Sequence, residues 1–259
     1  MNFGLEGKVA IVGGASKGIG YGIARTLAAE GATVAITARH EAELRGAAER
    51  IAAETRAHVL PIVSDVRSAE DCTRVASRVK AELGGVDILV NNDGAPPLGP
   101  ILSFEDRAWQ RAVEQNLFSV VRMVREVVPS MQARGGGSIV NITAISAIQP
   151  ISGFSLSVAT WAGVIGYAKT LSLELGKHGI NVNTICPGYI DTERLQTVFA
   201  SGSEPPDVVR ARLTEEVPLR RIGTVEDVAC LVALLVSPRG SYITGTAIQV
   251  DGGLLRASR

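Results

Sequence analysis

Cysteine is scarce in this chain. Cys72, Cys186 and Cys230 stand far apart among 259 residues. Their spacing fits no disulfide framework, metal knot or redox pair, and suits a reducing cytoplasm. Excess charge of either sign is also missing, with 26 basic residues against 26 acidic. Nothing electrostatic therefore argues for nucleic acid or a membrane surface as partner. No uninterrupted apolar run approaches the roughly 20 residues that a membrane span needs. The opening residues Met1–Lys8 lack the apolar stretch of a signal peptide. Hydrolase elbow, metal-ligand cluster, P-loop, internal repeat, linker and low-complexity segment are all absent from the sequence. What remains is the expectation of a cytoplasmic globular chain with a small-molecule substrate and no metal.

The hydrophobic fraction is 46%, enough for a large core. Short apolar, β-branched runs recur at Val9–Val12, Thr33–Thr37, His58–Val63, Val86–Val90, Ser138–Ile142, Asn181–Ile185 and Ala247–Val250. They are nearly continuous rather than alternating, as expected of strands buried on both faces. Between them lie helix-period stretches such as Ile19–Glu30, Glu41–Glu54, Ala69–Leu83 and Glu226–Leu235. A further helix is predicted over Ser155–Lys177. This order predicts an α/β chain: a single-domain, Rossmann-type, doubly wound parallel sheet of about seven strands, with helices on both faces. The domain takes in residues 1–259. Within it, residues 191–222 read as a substrate lid around the loop-like stretch Ser201–Asp207.

Gly14, Gly18 and Gly20 fall between the first run and the helix opened by Ile19. Glycines there let backbone approach a pyrophosphate, and a helix N-terminus supplies N–H donors and positive dipole. Ser16 and Lys17 belong to the same turn. The second strand ends at Ala38-Arg39, 19 residues past Gly20. An acid at that place would bind a ribose diol, whereas an arginine suits a 2′-phosphate. Arg39 and Lys17 therefore favour NADP(H) over NAD(H), with Glu41 the residue that argues the other way.

These features resemble the short-chain dehydrogenase/reductase family, and ordered motifs extend the resemblance from Lys8 to Gly253. Asp65, with Val66 beside it, matches the family's aspartate next to the adenine. Asn91-Asn92-Asp93-Gly94 resembles the family's Asn-Asn-Ala-Gly, with Asn92 and Gly94 at the cofactor. Asp93 is a departure that either caps local N–H groups or repels the dinucleotide. Pro187-Gly188 resembles the turn over the nicotinamide, and Val250-Asp251-Gly252-Gly253 also matches. Gly13 stands where the family usually has threonine.

The catalytic end departs further. The resemblance places a serine, a tyrosine and a lysine where this chain has Ala144, Ser157 and Trp161. Asn116, the family's fourth catalytic member, is retained. A phenol has a pKa of about 10, which a nearby ammonium lowers. A serine hydroxyl is far less acidic, and an indole carries one N–H and no charge. Trp161 either fills the space left by the missing pair or stacks on cofactor or substrate. Asn116 either holds a water, as the resemblance implies, or is a structural remnant. Lys169 lies eight residues beyond Trp161, about 12 Å along a helix, too far to replace the lysine. Ser146 becomes the stand-in carbonyl donor if the chain stays extended after Ala144, while Thr143 faces away. Tyr189 approaches from the other side. Pro96, Pro97, Leu98, Ile148, Pro150, Ile151 and Phe154 are expected to make an apolar wall.

The leading reading is an NADP(H)-dependent oxidoreductase acting on a small apolar or acyl-type carbonyl or enone by an atypical site. Dienoyl-CoA reductases resemble this chain in having alanine and serine in the first two slots, but they keep the lysine. The alternatives are an NADP(H)-binding protein without turnover and a non-redox enzyme on the same scaffold. The resemblance also implies a homo-oligomer, tetramer or dimer.

Overall fold

A computed structural model describes residues 3–92, 94–200 and 204–257. Asp93 and the lid residues Ser201, Gly202 and Ser203 lie outside the described residues. Among the described residues, seven strands form one parallel sheet in the order β3-β2-β1-β4-β5-β6-β7. The strands are β1 (Val9–Val12), β2 (Thr33–Ala38), β3 (Val59–Val63), β4 (Ile88–Asn91), β5 (Gly137–Ile142), β6 (Ile180–Pro187) and β7 (Ala247–Val250). The helices flanking them are α1 (Gly18–Ala29), α2 (Glu41–Thr55), α3 (Ala69–Leu83), α4 (Asp106–Val113), α5 (Ser119–Ala133), α6 (Ser155–Leu175) and α9 (Val225–Val236). Two more, α7 (Glu193–Phe199) and α8 (Pro206–Glu216), form an excursion between β6 and α9.

The apolar runs are explained by this placement. Along β1 every residue is buried. Ala10 and Val12 pack with Ile23 and Leu27 of α1, Leu44 of α2 and Val232 of α9. Val9 and Ile11 pack on the opposite face with Val75 of α3, Val124 of α5 and Val164 of α6. A strand covered on both sides has no solvated face, so its sequence does not alternate. Several boundaries move by a residue or two from the predicted ones. β4 begins at Ile88 rather than Val86, and α6 ends at Leu175, where a 3₁₀ turn over Gly176–His178 continues the chain.

Local chemistry fixes the helix ends near the site. Thr192 caps α7 by accepting from the Leu195 N–H. Ser68 caps α3 through the Asp71 N–H, and Gly84 closes that helix with φ of 83°. Thr224 and Asp227 form a reciprocal capping box on α9. α7 and α8 pack on each other through Leu195, Phe199, Val209 and Leu213. The excursion thus has a small core of its own over the C-terminal ends of the strands.

Asp87, just before β4, holds the opposite end of the sheet together. Its carboxylate accepts from the Val9 N–H at 2.9 Å and from Arg134 Nε and Nη2 at 2.9 and 2.8 Å. Lys8 Nζ lies 3.7 Å away. Burial pushes this carboxyl up, but the Arg134 and Val9 hydrogen bonds and the two cations outweigh it and hold it below the usual range. Because the folded-state value is depressed, the pair stabilises the fold above the unfolded value near 3.9 and fades as pH falls through the folded one. Asp87→Ala leaves a partly buried guanidinium without its partner. The expected cost is about 3 kcal/mol in urea unfolding at neutral pH, shrinking at acid pH. An equal loss at both pH values would contradict the assignment.

Candidate functional site

β1 is the switch point of the sheet: β2 and then β3 lie on one side, β4 and then β5 on the other. Ligands of open α/β sheets bind in the crevice beyond the strand ends at such a point. A cavity of about 500 Å³ opens there. Its wall runs from Arg39 past Gly14, Lys17 and Asn92 to Ala144, Trp161 and Tyr189.

The glycine turn is shaped by close backbone approach. Gly14 has φ of 55°, and a Cβ on it would overlap the Asn92 carbonyl oxygen. A Cβ on Gly20 would overlap the Gly14 carbonyl oxygen and come within 2.6 Å of Asn92 Nδ2. The Asn92 amide donates to the Gly13 carbonyl at 3.2 Å, tying the turn to the end of β4. Gly18, with φ of 59°, opens α1 with the Thr192 methyl group beside it. Gly20 is therefore buried beneath the turn, while Gly14, Ser16, Lys17, Gly18 and Ile19 border the cavity.

Arg39 is exposed at the cavity's far end, next to His40 and Glu43. Glu41, the acid that argued against a 2′-phosphate, is held by Arg45 at 2.8 Å and does not border the cavity. Glu43 does border it, as do Asp65 and Glu193. Lys17 Nζ lies 2.5 Å from Glu193 Oε2 at the start of α7. This hydrogen bond raises the Lys17 pKa.

Asp65 and Val66 reach the same end of the cavity, but the Asp65 carboxylate is already engaged. Arg67 grips it through Nε at 2.9 Å and Nη2 at 2.5 Å, and the Arg67 N–H adds a third bond at 3.0 Å. The Arg67 side chain is the largest cause that holds the Asp65 carboxyl below its usual range. Gly94, Pro187 and Gly188 also border the cavity. The Gly188 N–H donates to the Val250 carbonyl at 3.0 Å.

The catalytic candidates are divided by the structure. Ala144 and Trp161 border the cavity. Ser157 does not: it is 1% exposed on the packed face of α6, and its hydroxyl has no hydrogen-bond partner among the described residues. Ser146 does border the cavity, and its hydroxyl is likewise buried without a partner. The expected extended chain does not carry it there. Ile145–Ala147 is a 3₁₀ turn, so the two-residue repeat of a strand stops at Ala144. Thr143, expected to face away, also borders the cavity, and its hydroxyl donates to the Ile185 carbonyl at 3.2 Å.

Asn116 sits in a π-helical segment, Glu114–Phe118, that joins α4 to α5. Such bulges accommodate one extra residue at the cost of regular hydrogen bonding. Its amide donates to Thr160 Oγ1 at 2.8 Å, and its carbonyl oxygen is buried without a partner among the described residues. A small cavity of about 10 Å³ lies between Asn116, Asn141 and Trp161. That is about the room one water requires.

The expected apolar wall is only partly realised. Ile151, Phe154 and Tyr189 line the cavity; Pro96, Pro97, Leu98, Ile148 and Pro150 do not. Sequence reasoning missed Ile145, Leu195 and Val198, which take their place. The Tyr189 hydroxyl points to Glu216 at 3.4 Å. Burial first, and then Glu216, push its pKa up to about 12. It is a poor proton donor near neutral pH. Arg194, also missed, reaches across the opening from α7 to donate to the Pro96 carbonyl at 2.9 Å. No helix among the described residues is long and apolar enough to cross a membrane.

A family model described as Enoyl-(Acyl carrier protein) reductase matches residues 14–255. The chain is 37% identical to the 3-oxoacyl-[acyl-carrier-protein] reductase FabG of Escherichia coli strain K12, over 98% of this chain and 99% of the relative. Its structure is similar to that of L-sorbose reductase from Gluconobacter frateurii, solved with NADPH and L-sorbose. That likeness has a TM-score of 0.94 at 34% identity, over 99% of this chain and 100% of that one. It is also similar to 7α-hydroxysteroid dehydrogenase complexed with NADH, with a TM-score of 0.92 at 30% identity, over 100% of this chain and 98% of that one.

Proposed function

Because the chain belongs to the short-chain dehydrogenase/reductase family, we propose that it is an NADP(H)-dependent oxidoreductase reducing a small apolar or acyl-type carbonyl or enone without the family's tyrosine and lysine. The observation that carries the reading is one continuous cavity, walled by Arg39, Lys17 and the glycine turn at one end and by Ala144, Ser146 and Trp161 at the other. A 2′-phosphate at the first end and a second reactant at the other would both lie along it. The Gly14 and Gly20 positions, where a Cβ has no space, are a fit test that a pyrophosphate site passes.

When bound, the nicotinamide supplies the hydride. Gly14, Ser16, Gly18, Ile19 and the start of α1 would hold the pyrophosphate, and Gly20 lets that turn close. Arg39 and Lys17 would hold the 2′-phosphate, with Lys17 leaving Glu193 to do so. Val66, Asn92 and Gly94 flank the adenosine half; Asp65 borders it with its carboxylate held by Arg67 and its N–H given to Asp71. Pro187 and Gly188 cover the nicotinamide end. Ser146 is the hydroxyl placed to donate to a substrate carbonyl. Trp161 supplies a flat apolar surface at the reacting end, and Ser157, being sealed in the helix interface, moves no proton. A conjugated alkene needs least from this site, because its proton can come from water.

Titration with NADPH and NADH, followed by tryptophan fluorescence and thermal shift, tests the reading. NADPH is expected to bind at least about tenfold more tightly than NADH, since a charge-assisted phosphate contact is worth about 1.5–3 kcal/mol. Arg39→Asp is expected to reverse the preference. Trp161→Phe should remove the fluorescence quench and spare binding. Enones and acyl thioesters are then screened for NADPH oxidation. NADPH binding without oxidation by any of them favours the second reading, a binding protein without turnover, for which the sealed Ser157 is the supporting observation. Failure to bind either dinucleotide overturns both. Residues 191–222 act as the lid in this scheme, and assembly into a homo-oligomer is expected by the family's habit.

A further inference from the structure

Among the described residues, Arg194 is the one cation on the substrate side of the cavity wall that neither the family resemblance nor the dinucleotide accounts for. It stands on α7, half-buried, among Ile151, Phe154, Leu195 and Val198. Its sole hydrogen-bond partner among the described residues is a neutral one, the Pro96 carbonyl, through Nη2. No carboxylate of the described residues lies within ion-pair distance of it. Its acidic neighbours are engaged elsewhere: Glu193 with Lys17, and Asp191 with Arg210 at 3.0 Å and Gln196 at 3.1 Å. Burial alone pulls its pKa down.

A guanidinium half-withdrawn from water beside an apolar wall favours a counter-charge, and a single protein carbonyl leaves its remaining donors open to water or a ligand. Its planar fork matches a carboxylate with two parallel bonds, which a lysine could not do. From the geometry we infer that Arg194 receives a carboxylate on the substrate, so that the molecule accepted here is an oxo or enoyl acid whose carbon chain lies on the apolar wall. This rests on the reductase reading above and narrows it. The carbon to be reduced sits near Ser146, in the turn after β5, and Trp161 on α6, while the acid end is held from α7. Binding of the acid would then draw α7 onto the cavity through Arg194, in place of the Lys17–Glu193 contact that the 2′-phosphate takes over.

The test uses the full chain loaded with NADPH. Levulinate and longer straight-chain oxo acids are titrated beside their methyl esters, with Trp161 fluorescence as readout and NADPH oxidation where it occurs. The free acids are expected to bind about tenfold or more tightly than the esters. Arg194→Gln should bring that ratio to about one, with NADPH affinity and thermal midpoint unchanged. Arg194→Lys should give an intermediate ratio, because charge is kept and the fork is lost. Acids no better than esters in the wild type, or no response to any acid, overturns the assignment. So does an Arg194→Gln variant that loses NADPH affinity instead, which would give the guanidinium to the dinucleotide. Tighter binding of phosphate esters than of acids overturns the carboxylate in particular. A wild type that binds no NADPH fails at the earlier step and takes the reductase reading down with this one.

Discussion

Gly14→Ala is expected to abolish saturable NADPH binding and to destabilise the fold by about 2–5 kcal/mol. Two effects add. Gly14 has φ of 55°, in the left-handed region, where a side chain costs roughly 1–2 kcal/mol. The new methyl would also overlap the Asn92 carbonyl oxygen, and relieving such an overlap by backbone movement costs about 1–3 kcal/mol. Neither partner yields cheaply. The turn is tied to the sheet by the Gly13 N–H donating to Val90 and the Ala15 N–H donating to Thr37. Asn92 is fixed to the turn by its own side chain. What moves is the spacing between turn and β4 loop, which is where a pyrophosphate would lie. Gly7→Ala is the control: its φ is 74°, but nothing stands within 4 Å of its Cβ position. It should carry the conformational cost alone and keep NADPH affinity. Urea unfolding and calorimetric titration read both quantities. A Gly14→Ala protein that binds NADPH normally would show that the dinucleotide does not use this turn.

The sheet was legible because strands covered on both faces leave continuous apolar runs, and β1 and β7 fall within the residues expected of them. The glycine turn was legible because its residues are consecutive and each has a local steric reason. Side chains that meet from distant parts of the chain were not. Arg194 touches the Pro96 carbonyl, 98 positions earlier, and no local pattern announces that. Arg67 neutralises Asp65 two residues away, yet the sequence does not tell whether that carboxylate faces its neighbour or a ligand. Ser157 and Trp161 share a helical face by count, but one is buried and the other reaches the cavity. A four-residue spacing fixes the face of a helix, not which of two residues on that face meets the core. Ser146 arrived at the cavity for a reason other than the one expected, since a tight turn replaced the extended strand there.

Ser157→Tyr combined with Trp161→Lys is expected to raise carbonyl reduction by about 100-fold or more, within the range that a positioned acid contributes. The structure explains why the pair must change together. Trp161 borders both the large cavity and the small one beside Asn116. Trp161→Lys vacates indole volume at the cavity wall, which a phenol at 157 is expected to enter. Ser157→Tyr alone has no room, because the position is 1% exposed, and overpacking should lower stability by about 1–3 kcal/mol. Trp161→Lys alone opens the space but supplies no proton. Together the ammonium fills part of the vacated volume, lowers the phenol's pKa, and stands near the unpartnered Asn116 carbonyl oxygen. The gain should therefore exceed the product of the single effects, as expected of residues acting as a unit. The pH profile separates this from a merely better-fitting pocket. With a phenol as donor, the rate falls as pH rises through its pKa, because the reduction needs the protonated form. The parent, having no such group beside the substrate, should show no break there. A double variant that folds, binds NADPH as the parent does and reduces nothing faster would place the reacting carbon away from α6. Ser146 and Arg194 would then be the side chains from which the site has to be rebuilt.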